Sequence, residues 1–232
     1  MLPLRVIDLG RHGYAETLDL QRRLCHERAA ADHDLDDVLL LVEHEPVITL
    51  GRTTQASSLP ITPEAIARHG VGVHEVERGG DVTWHGPGQL VGYPIVDLRR
   101  MREDLHWYLR TLEDALIDAL EALGIPADRN PGYTGVWTAG RKIASMGVHV
   151  KRWVTLHGFA LNVVNDLSGF DLIVPCGIQR VVMTSVAAEL GGDEPAPLLF
   201  ARTREAVVGS LGRALQREPL RNQAASAGVS LT

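Results

Sequence analysis

The chain has 232 residues, 45% of them hydrophobic, which is enough to bury a substantial core in one large domain. Its formal net charge of −6 argues against nucleic acids and anionic membranes as partners. Two cysteines, Cys25 and Cys176, are too few for a disulfide framework. The first ten residues, MLPLRVIDLG, have no long apolar core, so they predict neither a signal peptide nor a membrane span. We therefore expect a cytoplasmic protein with reduced thiols.

Three segments have the apolar spacing of amphipathic helices. The first covers about residues 14–30. The second begins after Asp104, a residue type that caps helices, and continues to Leu123, where Gly124 and Pro126 end it. The third lies near the C-terminus, at about residues 207–215. These helices precede, separate and follow the predicted strands.

Four segments are typical of β-strands: residues 37–44, 90–98, 142–150 and 155–164. The last two flank a short polar turn, which predicts a hairpin. Helices and strands in this order indicate an α/β or α+β fold with a mixed or largely antiparallel sheet and packed helices. Residues 191–197 read as a loop. We expect one domain over residues 1–218 and a disordered tail over residues 219–232.

Five glycines lie within residues 79–92, GGDVTWHGPGQLVG. Glycine allows a ligand to approach the backbone closely, but two turns around a short strand explain the same composition. No Gly-Lys-Ser/Thr follows, and the spacing is not a GxGxxG turn before a helix. The segment therefore does not predict a nucleotide-binding loop.

The ten histidines raise the question of a metal site. His149 and His157 fall on neighbouring predicted strands, but the sequence has no HExxH and no CxxC motif. Imidazoles in strands commonly make local hydrogen bonds or shape a pocket. We expect no metal site.

Cys176 lies between Pro175 and Gly177, where the chain must bend. It is either a small buried hydrophobe or a nucleophile placed at the end of a strand. Lys142 begins an apolar predicted strand, so it is either an edge residue reaching for water or a partly desolvated amine. An amine beside the thiol would favour the thiolate, which is the attacking species. Cys25 fits the pattern of the first helix and is expected to be structural.

Six motifs occur together along the chain. They are EHEPVITLGR (43–52), RGGDVTWHGPGQLVGYPI (78–95), GRKIASMGV (140–148), TLHGFALNV (155–163), DLIVPCGI (171–178) and TSV (184–186). In this order they resemble the octanoyltransferases of lipoate assembly, also called lipoyl(octanoyl) transferases. The resemblance covers about residues 43–186.

The resemblance implies a fold and an activity. The fold is the catalytic domain shared by biotin and lipoate protein ligases. The activity is transfer of an octanoyl group from acyl carrier protein to a lysine of a lipoyl domain, the first step of protein lipoylation. Acceptors would be the lipoyl domains of 2-oxoacid dehydrogenase complexes and the glycine cleavage H protein. The resemblance further implies a monomer that needs neither ATP nor a metal.

The resemblance also assigns residues. Cys176 would accept the acyl group, with Lys142 as its partner. The substrate-binding residues would be Arg78, Gly79, Gly80, Asp81, Val82, Thr83, Trp84, His85, Ser145, Met146, Gly147, His157, Gly158, Phe159 and Ala160. Glycines 79–80 and 86–88 would leave room for the alkyl chain, with Trp84, Met146 and Phe159 as walls. Met146 and Val186 depart from the usual family residues, which bears on chain-length preference.

Two other functions fit parts of this pattern. An ATP-dependent lipoate or biotin ligase would share the fold, but it has no need of a nucleophilic cysteine. A non-catalytic acyl-binding module would keep the glycines without a Cys–Lys pair. The donors to the oxyanion stay open between amides near Gly177 and the 145–147 segment. Arg52, Arg141 and Arg152 are candidates for docking an acidic carrier, although most charged side chains are solvated surface.

Overall fold

The computed structural model describes residues 1–31 and 35–221. It contains five α-helices and ten β-strands in these ranges. The helices are α1 (Tyr14–Ala30), α2 (Pro63–Ala67), α3 (Leu105–Ala122), α4 (Val186–Leu190) and α5 (Ala196–Ala214). The strands are β1 (Leu2–His12), β2 (Asp37–His44), β3 (Val47–Leu50), β4 (Gly72–Glu75), β5 (Thr83–His85), β6 (Gln89–Ile95), β7 (Val136–Thr138), β8 (Arg141–Lys151), β9 (Val154–Asn162) and β10 (Arg217–Arg221).

Seven strands form one mixed sheet in the order β10-β1-β2-β6-β9-β8-β7. β1 runs parallel to both β10 and β2, and the remaining pairs are antiparallel. A second sheet has the order β4-β3-β5 and holds one parallel and one antiparallel pair. The expected mixed sheet with packed helices is therefore confirmed.

Helices cover both faces of the large sheet. Leu39 and Leu41 of β2 pack in the core with α3 and α5. Val38, Leu40 and Val42, which alternate with them, pack in the core with α1. A strand buried on both faces reads as a continuous apolar run, which is why LLLV stands out in the sequence. Each fully buried leucine contributes about 1.5–3 kcal/mol to folding.

The three predicted helices are confirmed, but the third, α5, begins at Ala196, well before the predicted residue 207. The Asp104 side chain accepts a hydrogen bond from the Trp107 amide and caps α3. Gly124 follows the helix with a φ of 86°, a conformation that glycine adopts without steric cost. Cys25 is buried on α1, as the helical pattern predicts. None of the helices within residues 1–31 and 35–221 is long and apolar enough to cross a membrane.

The predicted strands are confirmed with shifts of a few residues, and β8 and β9 form the predicted hairpin. Arg152 and Trp153 make its two-residue turn, and both have positive φ, the geometry that matches the twist of a hairpin. The predicted loop at 191–197 is shorter, since α5 begins at Ala196.

The predicted tail begins too early, because residues 219–221 belong to β10. β10 pairs with β1, and the buried Arg217 places its Nε 2.7 Å from Asp37 Oδ2. These backbone and ionic contacts hold a segment that is too polar to be recognised from its sequence. Residues 222–232 of the predicted tail lie outside the described residues.

Candidate active site

A cavity of about 320 Å³ lies between the two sheets. Strands β5, β6, β8 and β9 line it, together with loops at 78–81, 132–134 and 176–178. Fourteen of the residues singled out from the sequence line the cavity: Arg78, Gly80, Asp81, Thr83, His85, Lys142, Ser145, Met146, Gly147, His157, Gly158, Phe159, Ala160 and Cys176. Four separate segments of the chain therefore converge on one site.

Cys176 lies in a 3₁₀ turn, Pro175–Gly177, within the loop between β9 and α4. It is not at the end of a strand, as the sequence suggested. Its φ of 56° and ψ of 20° are left-handed, which is uncommon for a residue with a side chain. The Cys176 amide donates to Val82 O at 3.0 Å, and the Val174 amide donates to Ser58 O at 2.9 Å. Such a conformation is kept only where the surroundings enforce it, and here it leaves the thiol half-exposed in the cavity.

Lys142 is 1% exposed, so it is not an edge residue reaching for water. Its Nζ lies 3.1 Å from Cys176 Sγ and 3.2 Å from Thr134 O, and 4.8 Å from the centre of the Trp137 ring. The lysine backbone fixes the loop beyond Cys176, because its amide donates to Val182 O and its carbonyl accepts from the Thr184 amide. Within the described part of the chain no carboxylate forms an ion pair with Lys142. A buried amine facing a thiol can exchange a proton with it.

The candidate donors to an oxyanion are the amides near Gly177 and the 145–147 segment. The Gly177 amide donates to Val174 O at 3.0 Å, and the Ile178 amide donates to Pro175 O at 3.1 Å. The amides beside the thiol are thus engaged inside the turn. On the other side, Ser145 places its Oγ 3.9 Å from Cys176 Sγ. The Ser145 hydroxyl therefore faces the thiol, whereas the Gly177 and Ile178 amides are bonded within the turn.

Arg78 supplies a buried positive charge to the cavity wall. Its guanidinium donates to Thr49 O at 2.7 Å, to Thr49 Oγ1 and to Gly79 O. Burial lowers the pKa of Arg78, while nearby Tyr14 and Cys176 act in the opposite direction. No carboxylate among the described residues forms an ion pair with this guanidinium. The fixed charge can therefore stabilise an anion in the cavity.

Tyr14, His85 and Tyr93 form another part of the lining, and the His44 ring contacts all three. Burial lowers the pKa of His85 to about 3 and that of His44 to about 4, so both rings are neutral at pH 7. His44 Nδ1 donates to His12 O, which leaves Nε2 to accept from the Tyr93 hydroxyl at 2.8 Å. Tyr14 packs against both rings. In residues 1–31 and 35–221 no three or more His, Cys, Asp or Glu side chains form a group that could hold a metal ion.

The prediction that Trp84 forms a wall of the cavity is wrong. Trp84 packs against Phe170, with ring centres 5.4 Å apart, in a separate apolar core. Alternation along β5 explains this, because Thr83 and His85 face the cavity and the residue between them faces away. Val82 lies in the same separate core.

Of the glycines expected to make room for a ligand, some line the cavity and others do not. Gly80 lines the cavity, whereas Gly79 only donates its amide to Val148 O beside it. Gly86 and Gly88 lie elsewhere: a Cβ on Gly86 would meet the Trp84 ring, and one on Gly88 would meet the backbone at Asn165. The glycines at 86–88 therefore serve packing and make no room for an alkyl chain.

Some lining residues were missed by the sequence analysis, namely Tyr14, Thr53, Val91, Tyr93, Gly132, Tyr133 and Thr134. They come from the start of α1, from β6 and from two loops. Val91 and Tyr93 lie within the 78–95 motif without having been assigned, and none of the six motifs contains the others. Of the three arginines considered for carrier docking, Arg141 is paired with Glu189 at 2.7 Å. Arg52 and Arg152 are exposed.

Known proteins are similar to this chain in sequence or in fold. A family model described as the lipoyl protein ligase A/B catalytic domain matches residues 13–211. An octanoyltransferase from Gloeobacter violaceus is 51% identical over 177 residues, covering 76% of this chain and 77% of the relative. An octanoyltransferase from Acidobacterium capsulatum is 46% identical over 227 residues, covering 92% and 89%.

Solved structures agree on the fold. Protein Ta0514 from T. acidophilum, a putative lipoate protein ligase, superposes with a TM-score of 0.71 at 15% identity, covering 95% of this chain and 88% of that one. At this identity the likeness concerns the fold alone, and it confirms the expected lipoate-protein-ligase architecture. The sequence identity carries the finer assignment: this chain belongs to the octanoyltransferases of the lipoyl protein ligase A/B catalytic-domain family.

Proposed function

We propose that this acyltransferase moves an octanoyl group from octanoyl-acyl carrier protein to a lysine of a lipoyl domain through a thioester on Cys176. The observation that carries the proposal is the 3.1 Å distance between Lys142 Nζ and Cys176 Sγ in the wall of the cavity. The thiol is half-exposed, so a carrier-bound thioester can reach it. Octanoyl transfer accords with relatives of about 50% identity.

The first step forms the acyl-enzyme. The Cys176 thiolate attacks the carbonyl carbon of the donor, and Lys142 holds the proton that the thiol has released. Collapse of the tetrahedral intermediate breaks the bond to the carrier sulfur, which takes the proton from Lys142. The products are octanoyl-Cys176, a free carrier thiol and a neutral Lys142 amine. One thioester replaces another, so the step is nearly balanced in free energy.

The second step forms the amide. The acceptor lysine arrives mostly protonated, since its reference pKa is about 10.4. It loses two protons as it becomes an amide nitrogen, of which the neutral Lys142 takes one and solvent takes the other. The Cys176 thiolate leaves, and the enzyme returns to its starting state. A thioester is a higher-energy group than an amide, so the proposed reaction requires neither ATP nor a metal.

The cavity supports the proposed substrate. Val91 and Ala160, which pack on the α1 face of the sheet, supply apolar surface for an alkyl chain. The Arg78 guanidinium and the 145–147 segment flank the thiol side, where negative charge develops. All of these groups come from one chain, so a monomer suffices. We further propose that the acceptors are the lipoyl domains of 2-oxoacid dehydrogenase complexes and the glycine cleavage H protein, met in the cytoplasm, where the thiol stays reduced.

A transfer assay tests the proposal against its alternatives. Octanoyl-acyl carrier protein and a lipoyl domain are expected to give octanoylated domain without ATP. Cys176→Ala abolishes this transfer, and Cys25→Ser, the matched control on the buried thiol, retains it. Product from octanoic acid and ATP instead would establish a ligase. Absence of product from either donor, with tight binding of the octanoyl carrier, would establish a binding module.

A further inference from the structure

Glu113 is a fully buried carboxylate on α3, a helix whose core face is otherwise mainly apolar. Burying a carboxylate is costly unless it is paired and hydrogen-bonded. Its Oε2 accepts from Arg110 Nη1 at 2.6 Å and from Arg129 Nε at 2.9 Å. Its Oε1 accepts from the backbone amide of Gly135 at 3.0 Å, and that bond is itself buried.

The Gly135 amide belongs to a particular peptide group. The N–H of Gly135 and the C=O of Thr134 are the two ends of one planar unit, and in a trans peptide they point in opposite directions. At the carbonyl end Lys142 Nζ donates to Thr134 O at 3.2 Å. A carboxylate at one end and the cavity lysine at the other therefore share a single peptide group.

This arrangement is closely packed. A Cβ on Gly135 would come within 2.6 Å of Ala144 O and 2.9 Å of Lys142 Cε, and its φ is 135°. The loop is closed at its base by two 2.8 Å backbone hydrogen bonds between Asp128 and Trp137. A carboxylate that holds the N–H also polarises the peptide and strengthens its carbonyl as an acceptor.

We propose that Glu113 is a positioning residue of the transfer reaction. It fixes the Thr134–Gly135 peptide, whose carbonyl in turn holds Lys142 Nζ against Cys176 Sγ. The proposal rests on the proposed function of the Lys142–Cys176 pair. It differs from a purely structural role, in which Glu113 would only anchor the loop to α3.

Two variants at one position separate the roles. Glu113→Ala removes the acceptor of the Gly135 amide, whereas Glu113→Gln keeps an oxygen there but loses the charge. Asp118→Asn is the control, because it removes a carboxylate from an exposed position of the same helix. The measurements are the amplitude and the rate of acyl-enzyme formation from octanoyl-acyl carrier protein, followed by the rate of transfer and the KM for the acceptor.

A general acid–base group contributes 10²–10⁴ in rate, so displacement of Lys142 slows both steps of the reaction. We expect each step to be slower by roughly tenfold or more in Glu113→Ala and by roughly threefold in Glu113→Gln. The amplitude, the KM and Asp118→Asn stay at parent values. A reduced amplitude with a parent rate per active site would show a structural role and overturn the proposal. If Glu113→Ala does not fold, a parent rate in Glu113→Gln overturns it equally.

A donor-independent readout keeps this proposal separate from the proposed function. In a Cys25→Ser background, iodoacetamide alkylates Cys176, and a displaced Lys142 supports the thiolate less well. Slower alkylation in both Glu113 variants supports positioning even if the parent protein captures no octanoyl group. Alkylation at the parent rate in both would overturn it.

Discussion

Replacing Lys142 by methionine removes the charge from the site and keeps nearly the same length. The ammonium lies 3.1 Å from Cys176 Sγ, and at an effective dielectric constant of about 20 its attraction for a thiolate is about 5 kcal/mol. Desolvation of both groups offsets part of this attraction. A general acid–base group contributes 10²–10⁴ in rate, so we expect Lys142→Met to lose about 3–5 kcal/mol of transition-state stabilisation.

Stability is expected to change little in Lys142→Met. Methionine brings no charge to this buried position, and it fills the apolar space beside Trp137. We expect the free energy of unfolding to stay within about 1 kcal/mol of the parent value. Single-turnover transfer and urea denaturation measure the two effects. Lys151→Met, at the exposed end of the same strand, is the control. A transfer rate in Lys142→Met close to the parent rate would refute the proposed proton transfer.

Three further predictions concern the pocket, the buried histidines and the last strand. Ala160 lines the cavity, so Ala160→Leu should slow octanoyl transfer more than butanoyl transfer, and equal losses would contradict the placement of the chain. Burial lowers the pKa of His44 to about 4 and that of His85 to about 3, whereas both have a pKa near 6.5 in the unfolded chain. The stability that these two neutral histidines contribute is therefore fully present above pH 6.5 and is lost as the pH falls. At pH 5 the loss is about 2 kcal/mol per histidine, and His85→Gln should lower the slope of unfolding free energy against pH by about 1.4 kcal/mol per pH unit between pH 4 and pH 6, the share of one proton. An unchanged slope would contradict this. Arg217→Met should lower the free energy of unfolding by about 3 kcal/mol, because it removes a partner of the buried Asp37 carboxylate. The exposed Arg221→Met should cost less than about 0.5 kcal/mol, and equal costs would contradict a structural role for Arg217.

Periodicity predicted the elements that bury large apolar faces. The leucines of α3 and the apolar run of β2 indicated their structures because burial and pattern coincide. Strands β3, β4, β5 and β7 have three or four residues each, which is too short to show alternation. β10 is polar and depends on pairing with β1, which lies at the other end of the chain, so no local signal marks it.

Some residues of the candidate site could be recognised from the sequence, and others could not. Cys176 was recognisable because Pro175 and Gly177 bracket it, and Lys142 because a lysine is unusual in an apolar strand. Glu113 resembled any charged residue of an amphipathic helix, since its partners, such as the Gly135 amide, lie in a distant loop. Trp84 was assigned to the wrong face because β5 has only three residues, too few to show from the sequence which face each side chain occupies.

The central claim is that the octanoyl group passes through Cys176. Intact-mass spectrometry of the protein after mixing with octanoyl-acyl carrier protein tests it most directly. The account predicts the addition of one octanoyl group, located by peptide mapping at Cys176 and lost when a lipoyl domain is added. Transfer to the lipoyl domain without any adduct, or with the adduct at Cys25, would contradict it.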